Sequence, residues 1–259
     1  DVYKRQVNIK EKYMRYNELT FQGRNAVLEA FRSGKTIDKL FILDGCQDGP
    51  IKSIVREAKK TDAIINYVDK ERLDRLAGTG HHQGVVAIGA AYEYAEVEDI
   101  LAAAKEKGED PFIFILDEIE DPHNLGAIIR TANLAGAHGV IIPKRRAVGL
   151  TATVAKTSAG AINYTPVAKV TNISQIIEEL KKQGLWFVCA DMGGETMYNL
   201  NLKGPIGLVI GNEGNGVSRL VKDKCDFIAS IPMKGDIDSL NASVAAGVLA
   251  YEIVRQRLN

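Results

Sequence analysis

The chain has 259 residues, 46% apolar and 25% charged, which is enough for one large domain or two ordinary ones with cores of their own. Its 33 basic and 33 acidic side chains cancel, which argues against a polycation that coats nucleic acid indiscriminately but leaves room for a local basic face. Apolar runs fall short of membrane-spanning length, no secretory leader is visible, and Cys46, Cys189 and Cys225 form no Cys-x-x-Cys pair. The expectation is a reduced cytoplasmic protein with no membrane association, no metal and no disulfide framework.

Residues 1–16 show no clear periodicity and carry five basic residues and one acid between Lys4 and Arg15. A flexible, solvated basic tail is expected, and contact with RNA phosphates is the sharper alternative. Residues 17–92 read as a small α/β domain. Its helices are expected near Asn25–Phe31, Ile51–Lys60 and Glu71–Leu76, and its strands near Leu40–Leu43, Ile64–Tyr67 and Gly84–Ile88. Residues 93–110 are charged and Ala-rich and read as a linker, with a helix near Val97–Glu106 closed by Gly108 and Pro111.

From residue 111 to 259 strands and helices alternate. Strands are predicted at Phe112–Leu116, Gly139–Ile142, Leu185–Ala190, Ile206–Ile210 and Phe227–Ile231. Helices are predicted at Leu125–Ala135, Ser174–Lys182 and Leu240–Arg257. Strands bracketed by helices imply a parallel sheet covered on both faces. Ligands of such sheets bind beyond the carboxyl ends of the strands.

Three segments fall at such ends. Gly211-Asn212-Glu213-Gly214-Asn215-Gly216 follows an apolar strand, and its three glycines let the backbone turn sharply and approach a ligand. Its spacing is neither that of a dinucleotide fingerprint nor that of a phosphate loop, and it lacks the phosphate-loop lysine. The second segment is Asp117–Arg130, in which Pro122 stiffens the turn and Asn124 is expected to cap the helix. Arg130 lies among apolar neighbours, so it reads as either a surface cation or a group aimed into a cleft, where it could hold a phosphate. The third is Ile231–Ser243, with Ser239 and Asn241 at the start of the last helix, at least one of them as its cap. Leu240, Val244, Val248 and Tyr251 form a stripe expected to pack on the sheet and leave apolar area for a partner.

Other chemistries fare worse. The four histidines show no His-Glu-x-x-His pattern and no Gly-x-Ser-x-Gly elbow is present. The acids of residues 117–121 could hold Mg²⁺, though an acidic loop is more often simply solvated. Lys144-Arg145-Arg146 and His81-His82 offer polar or basic surface suited to a nucleic-acid backbone, with a plain solvated or structural loop as the alternative.

Together, Asn124-Leu125-Gly126-x-x-x-Arg130, Gly211-Asn212-Glu213-Gly214-x-Gly216 and Ile231-Pro232-Met233-x-Gly235-x-x-x-Ser239-Leu240-Asn241-x-Ser243 resemble the three motifs of the SpoU (TrmH) methyltransferases of the SPOUT class. Residues 16–91, with Gly23-Arg24-Asn25-Ala26-Val27 and His82-Gln83-Gly84-Val85, resemble the L30e-like substrate-binding domain of the branch that makes 2′-O-methylguanosine in 23S rRNA.

The resemblance implies a SPOUT-type α/β domain whose C-terminal part threads a trefoil knot around S-adenosylmethionine, in a homodimer with a shared active site. It places Gly211, Ile231 and Leu240 at the methyl donor, with Met192, Asn212, Met233 and Ser243 as neighbours. It gives Arg130 the 2′-hydroxyl and has Asn124, Glu213, Ser239 and Asn241 organise the site. Arg24, His82, Lys144, Arg145 and Arg146 are the candidate RNA contacts. A guanidinium is a poor base at neutral pH, so Arg130 could instead orient the phosphate that assists proton transfer. The activity implied is S-adenosylmethionine-dependent 2′-O-methylation of a guanosine in 23S rRNA or a ribosomal precursor particle. The same chemistry on a tRNA guanosine is the alternative, and a non-catalytic RNA-binding protein or a dinucleotide-dependent enzyme is a more distant one.

Overall fold

A computed structural model describes residues 20–61, 63–78, 81–90, 92–237 and 239–258. The basic tail expected at residues 1–16 lies outside the described residues. Among the described residues, those from Thr20 to Glu93 with Gly149–Ala152 form one compact unit, and Tyr94–Val148 with Thr153 onward form a second.

The first unit holds β1 (Thr20–Gln22), α1 (Arg24–Arg32), β2 (Ile37–Leu43), α2 (Gly49–Lys60), β3 (Ile64–Val68), α3 (Lys70–Ala77) and β4 (Val85–Gly89). Its sheet runs β1-β4-β2-β3; β2 and β3 are parallel, and β4 is antiparallel to both its neighbours. Alternate residues of β2 point to opposite faces, so Leu40 and Ile42 meet Val27, Phe31, Ile51 and Ile54 of α1 and α2. Phe41 faces the other way, toward Leu73 of α3. Asp48 starts α2 by accepting from the Ile51 amide at 3.2 Å. Strand β1 adds to the predicted elements; its three residues are too few to show a period.

The second unit contains α4 (Val97–Lys107), β5 (Phe112–Asp117), α5 (Pro122–Leu134), β6 (Gly139–Pro143), α6 (Ala152–Thr157), β7 (Val167–Val170), α7 (Ile173–Lys182), β8 (Trp186–Thr196), β9 (Ile206–Gly211), α8 (Arg219–Lys222), β10 (Phe227–Ser230) and α9 (Ala242–Arg257). The sheet is parallel throughout, in the order β10-β8-β9-β5-β6-β7. Ile113 and Ile115 of β5 face α4 and α7 in a core with Ile100, Ile173, Ile177 and Phe187. Phe112, on the alternate face of the strand, lies under the Arg257 guanidinium, 5.2 Å from its ring centre, which places α9 on the opposite face. The segment expected as a linker, 93–110, is therefore corrected: Ile100 of its helix is fully buried in this core.

Two features position the site. Strand β10 pairs first with Val188 and Cys189, then with Glu195 and Thr196. Residues 190–194 therefore bulge out of the β10 ladder within β8, just beyond its last pair with β9 at Cys189. Helix α9 also starts two residues later than expected, at Ala242, and buries Ala242, Ala246, Leu249, Ala250 and Ile253. The expected packing stripe is corrected accordingly, since Val244 and Tyr251 are about half exposed. Small alanines let α9 lie close to its support beside Leu249 and Ile253, while Val244 and Tyr251 turn outward.

Candidate active site

Helix α5 begins with Asp121, whose carboxylate accepts from the His123 amide at 2.8 Å, and Pro122 fills the first helical position. The cap expected at Asn124 is therefore corrected, because a residue inside the first turn cannot cap it. Its side chain is free to reach across the site, and the Asn124 amide donates to Glu213 Oε1 at 2.8 Å. Asn241 donates to the same oxygen and, at 3.0 Å, to Asn124 Oδ1. Asn241 also caps α9, its Oδ1 accepting from the amides of Ser243 and Val244. One residue from each of the three sequence motifs meets in this network.

The glycine loop is held from both sides. Asn212 and Gly216 exchange backbone hydrogen bonds of 3.1 and 2.8 Å, and the Asn212 side chain donates to the Glu118 carbonyl at 3.0 Å. Buried Asp117 accepts from the Ser218 amide at 2.7 Å. A Cβ on Gly211 would stand 2.1 Å from the Gly216 carbonyl carbon, so no other residue fits there without moving the loop. On α5, a Cβ on Gly126 would stand 1.8 Å from Thr157 Oγ1, so glycine there allows α6 its close approach.

These loops enclose a cavity of about 320 Å³. Its floor and apolar walls come from Ile210, Ile231, Met233, Leu240, Ala242 and Ala245, and the backbone of Gly211–Gly216 forms one rim. Ala190, Asp191 and Met192, from the bulged segment of β8, also line it. Among the described residues two carboxylates, Asp191 and Glu213, line it, and no Lys or Arg does. Lys222 at the end of α8 pairs with Asp191 at 2.7 Å. That hydrogen bond holds the Asp191 carboxyl below the usual range, and the carboxylate in turn raises the Lys222 ammonium.

Residues 111–251 match the SpoU rRNA Methylase family, and residues 22–95 match the RNA 2'-O ribose methyltransferase substrate binding domain. The chain belongs to the SpoU methylase family. A Bacillus subtilis relative, named a TrmH family tRNA/rRNA methyltransferase, is 53% identical over 236 residues, covering 91% of this chain and 94% of its own. The SpoU methyltransferase AviRb from Streptomyces viridochromogenes, solved in complex with AdoMet, superimposes with a TM-score of 0.59 at 24% identity, covering 92% of this chain and 90% of that one. An AdoMet-bound rRNA methyltransferase from Sinorhizobium meliloti gives 0.58 at 23% identity, covering 93% and 89%. These last two establish the fold.

Within this SpoU chain, Gly211, Asn212, Met192, Ile231, Met233 and Leu240 all line the cavity, as do Glu213 and Ser239. Ser243 does not; its hydroxyl donates to Asn241 Oδ1 at 2.6 Å and serves the cap. Arg130 is exposed on α5 and is not among the residues lining the cavity. His82 is corrected as an RNA contact. It is buried, its Nδ1 accepts from the Gly84 amide at 3.0 Å, and Nε2 lies 2.9 Å from Asp74. One ring nitrogen is thus spent on the turn before β4 and the other on α3.

Arg24 lines a separate cleft of the first unit with Asn25, Cys46 and Gln83, and pairs with Asp48 at 2.5 Å. Arg145 and Arg146 are exposed, Lys144 is half-buried, and Arg146 pairs with Glu118 at 3.0 Å. Asp191 and Lys222 escape a reading of the sequence because they lie outside the three motifs. Their signal is position, since Asp191 directly follows a predicted strand on the ligand side of the sheet. Among the described residues no cluster of His, Cys, Asp or Glu suits a metal ion, and all three cysteines are free.

Proposed function

We propose that this RNA methyltransferase transfers a methyl group from S-adenosylmethionine to the ribose 2′-hydroxyl of a guanosine in 23S rRNA. The observation that carries the reading is the Asn124–Glu213–Asn241 network at the rim of an apolar cavity that, among the described residues, is lined by two carboxylates and no cation. Such a lining suits a nucleoside that carries positive charge, and repels a phosphate. The volume is in the range of small-molecule sites. Gly211, Ile231 and Leu240 would hold the donor largely through backbone groups, with Met192, Asn212 and Met233 around it. When bound, S-adenosylmethionine supplies an electrophilic methyl group.

Alignment of the attacking oxygen is most of the task, and positioning alone supplies about 7–11 kcal/mol. Glu213, fixed by two amides, and Ser239 order the rim where the ribose would enter. Arg130 would hold the target phosphate or hydroxyl. Its place outside the cavity supports a homodimer in which the site is completed across the interface. The half-exposed Val244 and Tyr251 of α9 offer apolar area for that contact. The knotted chain path, the RNA-binding role of the first unit through Arg24, and a cytoplasmic location belong to the same reading. No helix among the described residues is long and apolar enough to cross a membrane.

The test is transfer of labelled methyl to protein-free 23S rRNA and to total tRNA, followed by nuclease mapping. A 2′-O-methylguanosine in 23S rRNA is expected. Label confined to tRNA keeps the chemistry and overturns the substrate; the tRNA/rRNA wording of the relatives' names is what favours this second reading.

A further inference from the structure

The cavity lining carries one member of a charge pair that none of the three motifs supplies. Asp191 lies on the bulged segment of β8, and its Oδ1 accepts from the Gly193 amide at 2.9 Å. Its Oδ2 meets Lys222 Nζ at 2.7 Å, with both side chains about 70% covered. Asp191 lines the cavity whereas its partner Lys222 does not, so the acid of the pair is the member beside the ligand space. Across a cavity of about 320 Å³, any ligand charge lies within a Debye length of that carboxylate.

The ligand's charge changes in the reaction. Methyl transfer breaks the S–CH₃ bond and leaves its electron pair on sulfur. The O–CH₃ bond forms, and the hydroxyl proton departs to a base or solvent. A sulfonium cation enters and a neutral thioether, S-adenosylhomocysteine, remains.

We propose that Asp191 is a specificity-determining residue that makes the cavity prefer the cationic donor over its neutral product, and that Lys222 sets how strongly. The inference rests on the cavity being the donor site. Asp191 attracts the sulfonium and has no such hold on the thioether, which favours release of product. Lys222 offsets part of that attraction by pairing with the carboxylate. Glu213 also lines the cavity, but its Oε1 is occupied by two amides and the rim network fixes its place.

Calorimetric titration of the full chain with S-adenosylmethionine and with S-adenosylhomocysteine tests this in wild type, Asp191→Asn and Lys222→Met. Asparagine keeps the Oδ1 acceptor for the Gly193 amide, so the wall retains its turn. Asp191→Asn is expected to weaken donor binding about fivefold relative to product binding. Lys222→Met is expected to move the ratio the other way. A purely structural role shifts both ligands equally in each variant, and an unchanged donor-to-product ratio overturns the proposal. Failure of the wild-type chain to bind either ligand instead overturns the donor-site reading and the inference with it. Thermal unfolding of each variant establishes that the titrated protein is folded.

Discussion

Asn124 donates its amide to Glu213 at 2.8 Å across 89 residues of chain, tying the first turn of α5 to the glycine loop. Glu213→Ala leaves that buried amide without its acceptor and the Asn241 amide with Asn124 Oδ1 alone. An unpaired buried donor costs about 1–3 kcal/mol, so a comparable loss in denaturant unfolding is expected. Methyl transfer should fall far more than donor binding. Glu213→Gln keeps an acceptor oxygen and should recover most of the stability. A Glu213→Ala variant as stable as wild type would show that the network carries no weight.

Gly211→Ala sets a methyl group against the Gly216 and Val217 backbone. The clash is with main chain, so no side chain can swing aside to relieve it. Overpacking of this kind costs about 1–3 kcal/mol. The displaced loop should also weaken S-adenosylmethionine binding in calorimetry. Unaltered binding and unaltered stability would mean the loop relaxes freely.

The sheet and most of its helices are legible in the sequence because long apolar runs and capping residues act locally. Phe112–Asp117 and Ile206–Gly211 are apolar on both faces, the signature of a covered parallel strand. The short elements are not legible: β1, β7, α6 and α8 hold three to six residues each. Pattern also misjudges α9, because alanines alternate with Leu249 and Ile253 on its buried face while Val244 and Tyr251 face outward. The site follows from motifs that match a family, and six of seven expected donor residues line the cavity. Asp191 and Lys222 meet only through the fold, with 30 residues of sequence between them (192–221), so spacing alone could not pair them.

Arg130 is an exposed guanidinium on a helix whose other face is packed. Since it is outside the cavity lining, Arg130→Ala is expected to leave calorimetric donor binding within about twofold of wild type. Turnover should fall by about a hundredfold or more, the scale of losing one preorganised charge interaction. Abolished donor binding in this variant would contradict its assignment to the RNA side.

The basic loop gives a second RNA-side prediction. Glu118 and Arg146 both sit at positive φ, 58° and 54°, and their side chains form an ion pair. An RNA phosphate that takes Arg146 must compete with Glu118. Reversing Lys144, Arg145 and Arg146 to Glu is expected to weaken RNA binding and lower its salt slope by about one for each phosphate that is no longer neutralised. Donor binding should change little. Glu118→Gln, which frees Arg146, should strengthen RNA binding modestly, and RNA affinity unchanged by either variant at physiological salt would remove this loop from the interface.

His138 makes stability depend on pH in a defined direction. Its ring is buried beside β5, Nδ1 accepts from the Phe112 amide at 3.0 Å, and Nε2 therefore carries the proton toward Glu109 at 3.1 Å. Burial lowers its pKa, and the Glu109 hydrogen bond only partly offsets this. In the unfolded chain an ordinary histidine takes up a proton near pH 6.5, whereas the folded chain resists it. The unfolded state then binds more protons, so this contribution is complete above about pH 6.5 and is lost as pH falls toward the folded value. The slope for one group is at most about 1.4 kcal/mol per pH unit. Asp191 and Glu252, whose carboxyls are lowered by Lys222 and Arg255, lose their contributions only as pH enters the ordinary carboxylate range and below. Denaturant unfolding between pH 7.5 and 5.5 should show a decline in wild type that His138→Gln flattens, since glutamine offers an acceptor to Phe112 without titrating. An equal decline in both proteins would assign the pH dependence to other groups.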